Sequence, residues 1–251
     1  DGRTLNWESV QKRKTGIVNK HTKGLDFLMK KNKVTVVKGY GRLTGGAKDG
    51  IHTIALSGTP AGGATTLQAK SVIVATGSEA KTMLGLKPDN RILTNIEMLS
   101  VESVPKSLIV IGAGAVGLEF GSIFRSFGSE ITIVEFLPRI APVEDEDISK
   151  ELTRLFKKRG IDVNVSCKVG KIEKTKAGVK VTWTTANGKT VEKEAEKVLV
   201  AVGRAPRTAD VGLEKTKIEV ERGFIHVNEV QETAEPGVYA IGDIVARLPP
   251  M

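Results

Sequence analysis

The stretch LIVIGAGAVGLEFG, Leu108 to Gly121, leaves few folds open to this chain. A run of apolar, largely β-branched residues reads as a strand covered on both faces. Glycines follow at positions 112, 114 and 117, and then apolar residues at helical spacing. A chain that leaves a buried strand through such a turn and continues as a helix is building a parallel sheet with crossover helices.

The spacing of Gly112, Gly114 and Gly117 suits one kind of ligand. Gly112 permits a tight turn, Gly114 lets phosphate oxygens approach the backbone, and Gly117 lets helix and strand pack closely. The helix start then presents free N–H groups and partial positive charge to an anion. Alone, the GxGxxG pattern is weak. Here Glu135 strengthens it, lying 18 residues after Gly117 at the end of the next apolar strand, EITIVE. A carboxylate there can accept from ribose hydroxyls and repel a 2′-phosphate, so NAD is expected over NADP. Arg139, beyond Pro138, reads as solvated. Glu119, two residues after Gly117, is either a surface carboxylate or a contact to the nicotinamide end.

Around this unit the chain alternates strand and helix. A domain boundary is expected near residue 104, after the polar connection SVESVPKS. Strands are expected at 108–111 and 130–135, and helices near 114–127 and 147–158. The acidic run EDED, Glu144 to Asp147, invites a metal but reads better as carboxylates at a helix N-terminus. Between about 168 and 198, short strand patterns joined by KAG and ANGK make an inserted meander, with Asn187-Gly188 as a hairpin signal. Val34, Val36 and Val37 read as a short strand, and Val72 to Val74 as one buried on both faces. VIVATGS, VLVAVGR and VYAIGD share one ending, an apolar run closing on glycine.

Charge separates the first part of the chain from the rest. Of 38 Lys and Arg, 12 fall within residues 1–50 against 4 acids, so most of the net charge of +9 sits there. The apolar residues Val10, Ile17, Leu25 and Leu28 form a helical stripe, and the lysines are expected on the solvated opposite face. Aromatics are 4% of the chain and none interleave with these lysines, so nucleic acid is not expected as a partner. No apolar run reaches the ~20 residues of a membrane helix. A single cysteine, Cys167, excludes disulfide scaffolding and a multi-thiolate metal site. It points to a reducing compartment, cytoplasmic or, as the alternative, the mitochondrial matrix. In VNVSCKV it reads as a small hydrophobe of a strand.

VIVATGSEA, IVIGAGAVGLEFGSIFRSFGSEITIVE, VAVGRAPRT and PGVYAIGDIVA, in this order, resemble the flavin-dependent pyridine nucleotide–disulfide oxidoreductases. NKVTVVKGYGRLTG and DISKELTRLFKKRGI bring the likeness nearest to the dihydrolipoamide dehydrogenase branch. The resemblance implies that Gly112, Ala113, Gly114, Ala115, Val116, Gly117, Leu118 and Glu119 hold the NAD pyrophosphate and approach the nicotinamide riboside. It implies Glu135 at the adenosine ribose, Val169 at the adenine and Gly203 near the nicotinamide. Gly41, Thr76, Gly77, Ser78 and Asp243 match positions that touch FAD. Implied partners are a lipoamide-bearing acyltransferase complex and a second copy in a homodimer.

Parts of that family pattern are not present in this sequence. There is no second GxGxxG for FAD and no CxxxxC redox pair, and no His-Glu pair stands in an interface domain. No catalytic residue of the family is therefore assigned here, and turnover by the chain alone is not expected. The implied fold is α/β, with Rossmann-like three-layer domains for FAD and NAD(P) and an inserted β-meander. Residues 1–103 would be a partial FAD-binding domain, 104–227 the NAD-binding domain and 228–251 the return strand of the FAD-binding domain. A mercuric or glutathione reductase type, or a non-catalytic NAD-binding fragment, remain the alternatives.

Overall fold

Alternation along one short strand organises the larger part of the chain. In Ser107–Ile111, Leu108 and Val110 point to one side of the sheet and Ile109 and Ile111 to the other, and all four are buried. The computed structural model describes residues 4–58, 60, 63 and 65–245. In chain order its elements are α1 (Trp7–Lys31), β1 (Tyr40–Leu43), β2 (His52–Ser57), β3 (Thr66–Ala69), β4 (Val72–Val74), β5 (Ser78–Ala80), β6 (Ile92–Leu93), α2 (Asn95–Met98), β7 (Ser107–Ile111), α3 (Ala115–Ser126), β8 (Glu130–Val134) and α4 (Glu146–Lys158). There follow β9 (Asp162–Asn164), β10 (Lys168–Lys174), β11 (Val179–Thr184), β12 (Thr190–Ala195), β13 (Lys197–Val200), β14 (Arg204–Pro206), β15 (Val220–Glu221), β16 (Phe224–Ile225) and β17 (Val238–Ala240). Two compact units emerge: one built on Ala80–Gly203 with the start of the chain up to Ile17, the other on Val18–Glu79 with the chain from Arg204 onward.

The first unit is a parallel five-stranded sheet in the order β6-β13-β7-β8-β9. Leu108, Val110, Ile131, Ile133 and Leu199 face α3 and α4 and meet Leu118, Phe124 and Phe156. Ile109, Ile111, Val134, Val198 and Val200 face the other way, onto Val179, Val181 and Trp183 of the meander β10-β11-β12. These are the three layers expected from the sequence, with the meander in place of a helical layer. Each such fully buried aliphatic side chain contributes roughly 1.5–3 kcal/mol. The Asn187-Gly188 turn joins β11 to β12, with Gly188 at φ +80°. The EDED run starts α4: the Asp145 side chain accepts from the N–H of Asp147 at 2.8 Å, which caps the helix. β6, which precedes residue 104, joins this sheet beside β13.

The second unit holds an antiparallel sheet, β1-β2-β3, and a parallel pair, β4 with β17. Its core gathers Leu43, Val74, Leu213, Ile225, Val238, Ala240 and Ile244.

Three local expectations fail. No residue of α1 is buried, and Ile17, Leu25 and Leu28 of the expected stripe are exposed. Helical periodicity records which side chains share a face, not whether anything covers that face. Val34 to Val37 form no strand; the ladder begins at Tyr40, where the chain meets β2. Ile73 is 63% exposed, because among the described residues β4 pairs with β17 alone and only Val74 of the strand is buried.

Candidate functional site

The three glycines of the loop after β7 meet three different physical demands. Gly112 sits at φ +101°, and a Cβ on it would fall 2.4 Å from the carbonyl oxygen of Ala201. Gly117 packs α3 against the end of β7, so closely that a Cβ would collide with the backbone of Gly112. Gly114 is the N-cap of α3; a Cβ there would meet nothing within 4 Å, and no side chain caps the helix. Among the described residues, the first N–H groups of α3 therefore have no side-chain partner, at the positive end of the helix dipole. Ala113 and Leu118 are buried beneath this loop, Ala115 and Glu119 are exposed, and Val116 is half-buried.

Glu135 follows β8 and is 7% exposed. Its Oε2 accepts from the N–H of Ala113 at 2.5 Å and its Oε1 from the N–H of Leu137 at 2.8 Å. Its own backbone is fixed on both sides, donating to Asn164 O and accepting from Cys167 N–H, each at 2.8 Å. A cavity of about 570 Å3 opens here, and Gly112, Gly114, Glu135, Val169 and Gly203 all line it. Five positions assigned from the sequence thus converge on one cavity, while Ala113, Ala115, Val116, Gly117, Leu118 and Glu119 lie outside its lining.

Sequence reasoning missed the apolar side of this cavity, formed by Met83, Phe136, Leu137, Pro142 and Cys167. One signal was available: Phe136, an aromatic directly after the acid, is 68% exposed. Cys167 precedes β10 rather than lying within it and packs in the core as a small hydrophobe. Burial, together with the negative charge of Asp162, pushes its thiol pKa up. Arg139 is not freely solvated: its guanidinium donates to Pro142 O at 3.0 Å and Glu144 O at 3.3 Å, bracing the loop that borders the cavity.

The second group of assigned residues lies in the other unit. Thr76, Gly77 and Ser78 follow β4, and Asp243 follows β17. The Ser78 hydroxyl donates to the Asp243 carboxylate, and Arg204 donates to Ser78 Oγ at 2.7 Å and to Ser78 O at 2.6 Å. Ser78, Arg204, His226 and Asp243 border a cavity of about 720 Å3. Thr76 instead donates to Arg207 O at 2.5 Å, and Gly77 turns the chain at φ +69°. Gly41 lies in β1 opposite Leu56 and does not border this cavity. The first cavity, with an open helix N-terminus, a buried carboxylate and an apolar side, fits an adenine dinucleotide. The second offers carboxylate, hydroxyl and guanidinium groups, which fit a polyol and phosphate chain.

Comparison with known proteins gives a consistent result. The pyridine nucleotide-disulphide oxidoreductase family profile matches residues 3–251. Dihydrolipoyl dehydrogenase of Cupriavidus necator is 41% identical over 236 residues, which is 93% of this chain and 48% of that protein. The Bacillus subtilis dihydrolipoyl dehydrogenase is 39% identical over 251 residues, 98% of this chain and 53% of the relative. The chain spans about half the length of the curated relatives it matches. The crystal structure of LpdA from Mycobacterium tuberculosis superposes with a TM-score of 0.87 at 28% identity, covering 99% of this chain and 54% of that one. The flavoprotein disulfide reductase RclA of Escherichia coli shares the fold, at 24% identity and a TM-score of 0.78, covering 96% of this chain and 52% of its own.

Proposed function

The chain belongs to the pyridine nucleotide-disulphide oxidoreductase family, and from that premise we propose that it supplies the dinucleotide-binding part of a dihydrolipoyl dehydrogenase-type flavoenzyme. In this reading electrons travel from a dithiol, by way of a disulfide and FAD, to NAD+. The observation that carries it is the placement of Glu135, Gly112 and Gly114 on one cavity.

Glu135 accepts from the two adenosine ribose hydroxyls and repels a 2′-phosphate, which favours NAD over NADP. The N–H groups from Gly114 to Gly117 meet the pyrophosphate. Val169, with Phe136 and Leu137, encloses the adenine, and Gly203 lets the nicotinamide end come close to the backbone. Ser78 and Asp243 hold the hydroxyl-bearing chain of FAD, with Gly41, Thr76 and Gly77 approaching the same cofactor. When bound, the cofactors supply the hydride and electron transfer; the residues of this chain bind, orient and exclude water. A lipoamide-bearing acyltransferase complex and a homodimeric assembly, in cytoplasm or mitochondrial matrix, complete the proposal. Among the described residues no helix is long and apolar enough to cross a membrane.

Titration of the purified chain with NADH and NADPH, with the flavin absorbance of the same sample, tests this reading. NADH is expected to bind about tenfold or more tighter, a difference of roughly 1.4 kcal/mol; tighter NADPH would count against it. One cysteine cannot form a redox dithiol. Steady NAD+-dependent oxidation of dihydrolipoamide by the pure chain would overturn that part.

A further inference from the structure

We infer that Glu135 is a positioning residue for the pyrophosphate-binding loop as well as the ribose acceptor, so that one carboxylate couples both halves of dinucleotide recognition. The inference rests on the dinucleotide reading above and adds a role in the ligand-free protein.

The geometry carries it. Ala113 lies between the two glycines that line the cavity, and its residue is fully buried. Its N–H points inward to Glu135 Oε2 at 2.5 Å, and its carbonyl accepts from Ala141 N–H at 2.8 Å. Gly112 N–H is bound to Val134 O at 2.9 Å, in the residue just before the carboxylate. The other carboxylate oxygen holds Leu137 N–H, at the start of the 136–142 segment that borders the same cavity. Glu135 therefore ties the loop that would meet phosphate to the segment that would meet adenosine. A carboxylate oxygen has a second acceptor position, so a ribose hydroxyl can bind without releasing Ala113. Charge-assisted bonds of this kind are the stronger ones. Without this bond, Ala113 N–H would be a buried, unpaired donor between two conformationally free glycines.

The test uses fragments that separate the two halves: adenosine, which has no phosphate, and inorganic pyrophosphate, which has no ribose. Binding of each is followed by NMR in the chain and in the Glu135→Gln and Glu135→Asp variants, together with amide exchange at Ala113. Removing a negative charge near an anion site should by Coulomb's law tighten pyrophosphate binding. For Glu135→Gln, coupling through the loop predicts the opposite, a loss of about fivefold, and it predicts a loss also in Glu135→Asp, which keeps the charge but draws the carboxylate back from Ala113. Exchange at Ala113 should rise about tenfold while Ile109 in β7 stays protected, an outcome that general destabilisation would not produce. In the unaltered chain the Ala113 amide should already be slow to exchange. Weakened adenosine with unchanged or tighter pyrophosphate would overturn the inference, as would an unprotected Ala113 amide in the unaltered chain. Failure of the unaltered chain to bind NADH would instead overturn the functional reading, and the exchange result would still decide the role of Glu135.

Discussion

A Cβ built on Gly117 falls 2.0 Å from the carbonyl oxygen of Gly112. The first turn of α3 thus rests directly on the backbone at the end of β7. Gly117 is required by distance rather than by backbone freedom, since only Gly112 of the pair sits at positive φ. This contact sets the helix N-terminus at the edge of the cavity.

Gly117→Ala is accordingly expected to force helix and strand apart. The predicted loss is about 2–4 kcal/mol, in the range of severe overpacking against backbone. Urea denaturation would measure it, with weaker NADH binding in whatever fraction stays folded. An unchanged denaturation midpoint would contradict the packing described for α3.

Glu135→Arg is expected to weaken NADH binding by about tenfold or more, roughly 1.4 kcal/mol, and to move preference toward NADPH. Fluorescence titration with each nucleotide reads both effects. Unaltered NADH affinity would mean that the ribose lies elsewhere.

Asp89 gives the first unit an acid-sensitive tie. Partial burial pushes its pKa up, but the N–H of Ile92, the Lys174 ammonium and the N–H of Arg91 outweigh burial and lower it to about 2. A depressed carboxyl contributes stability above its unfolded pKa, and that contribution is lost as pH falls through the folded value. The Asp89→Asn variant should therefore be less stable at pH 7 by about 1–2 kcal/mol, allowing for partial solvent screening. The gap should close between about pH 4 and pH 2. Thermal melts across that window, compared with the unaltered chain, check it; a gap that persists at the acid end would refute the assignment.

Cys167 lines the first cavity yet is only 3% exposed, and its thiol pKa is raised. Alkylation by a neutral maleimide near pH 7 is expected to run well below the rate of a free thiol, because the group is buried and the thiolate is the reactive form. NADH should slow it further. Rapid labelling indifferent to NADH would place the thiol outside the nucleotide cavity.

Much of the site was legible because it is local. β7, the glycine turn, α3, β8 and Glu135 lie within 29 residues, and strand and helix periodicities alone set their order and facing. β6 was not legible: two residues carry no period, and Ile92–Leu93 becomes a sheet edge only by pairing with β13, far along the chain. The exposed stripe of α1 shows the converse, a clear period that does not say what covers it.

The sequence by itself determined the α/β class, the parallel unit, the meander and the position of the carboxylate at the end of β8, since each depends on side-chain periodicity or on spacing along one short stretch. The tertiary structure alone decided how the wall is assembled. Leu137 O accepts from Ser166 N–H at 2.9 Å and Ala141 N–H donates to Ala113 O at 2.8 Å, and these bonds fold the 136–142 segment over the cavity. They bring Phe136, Leu137 and Cys167 beside Gly112, and they turn Glu135 into a tie between two segments. Such backbone bonds leave no mark on residue identity, because every non-proline residue carries the same donor and acceptor.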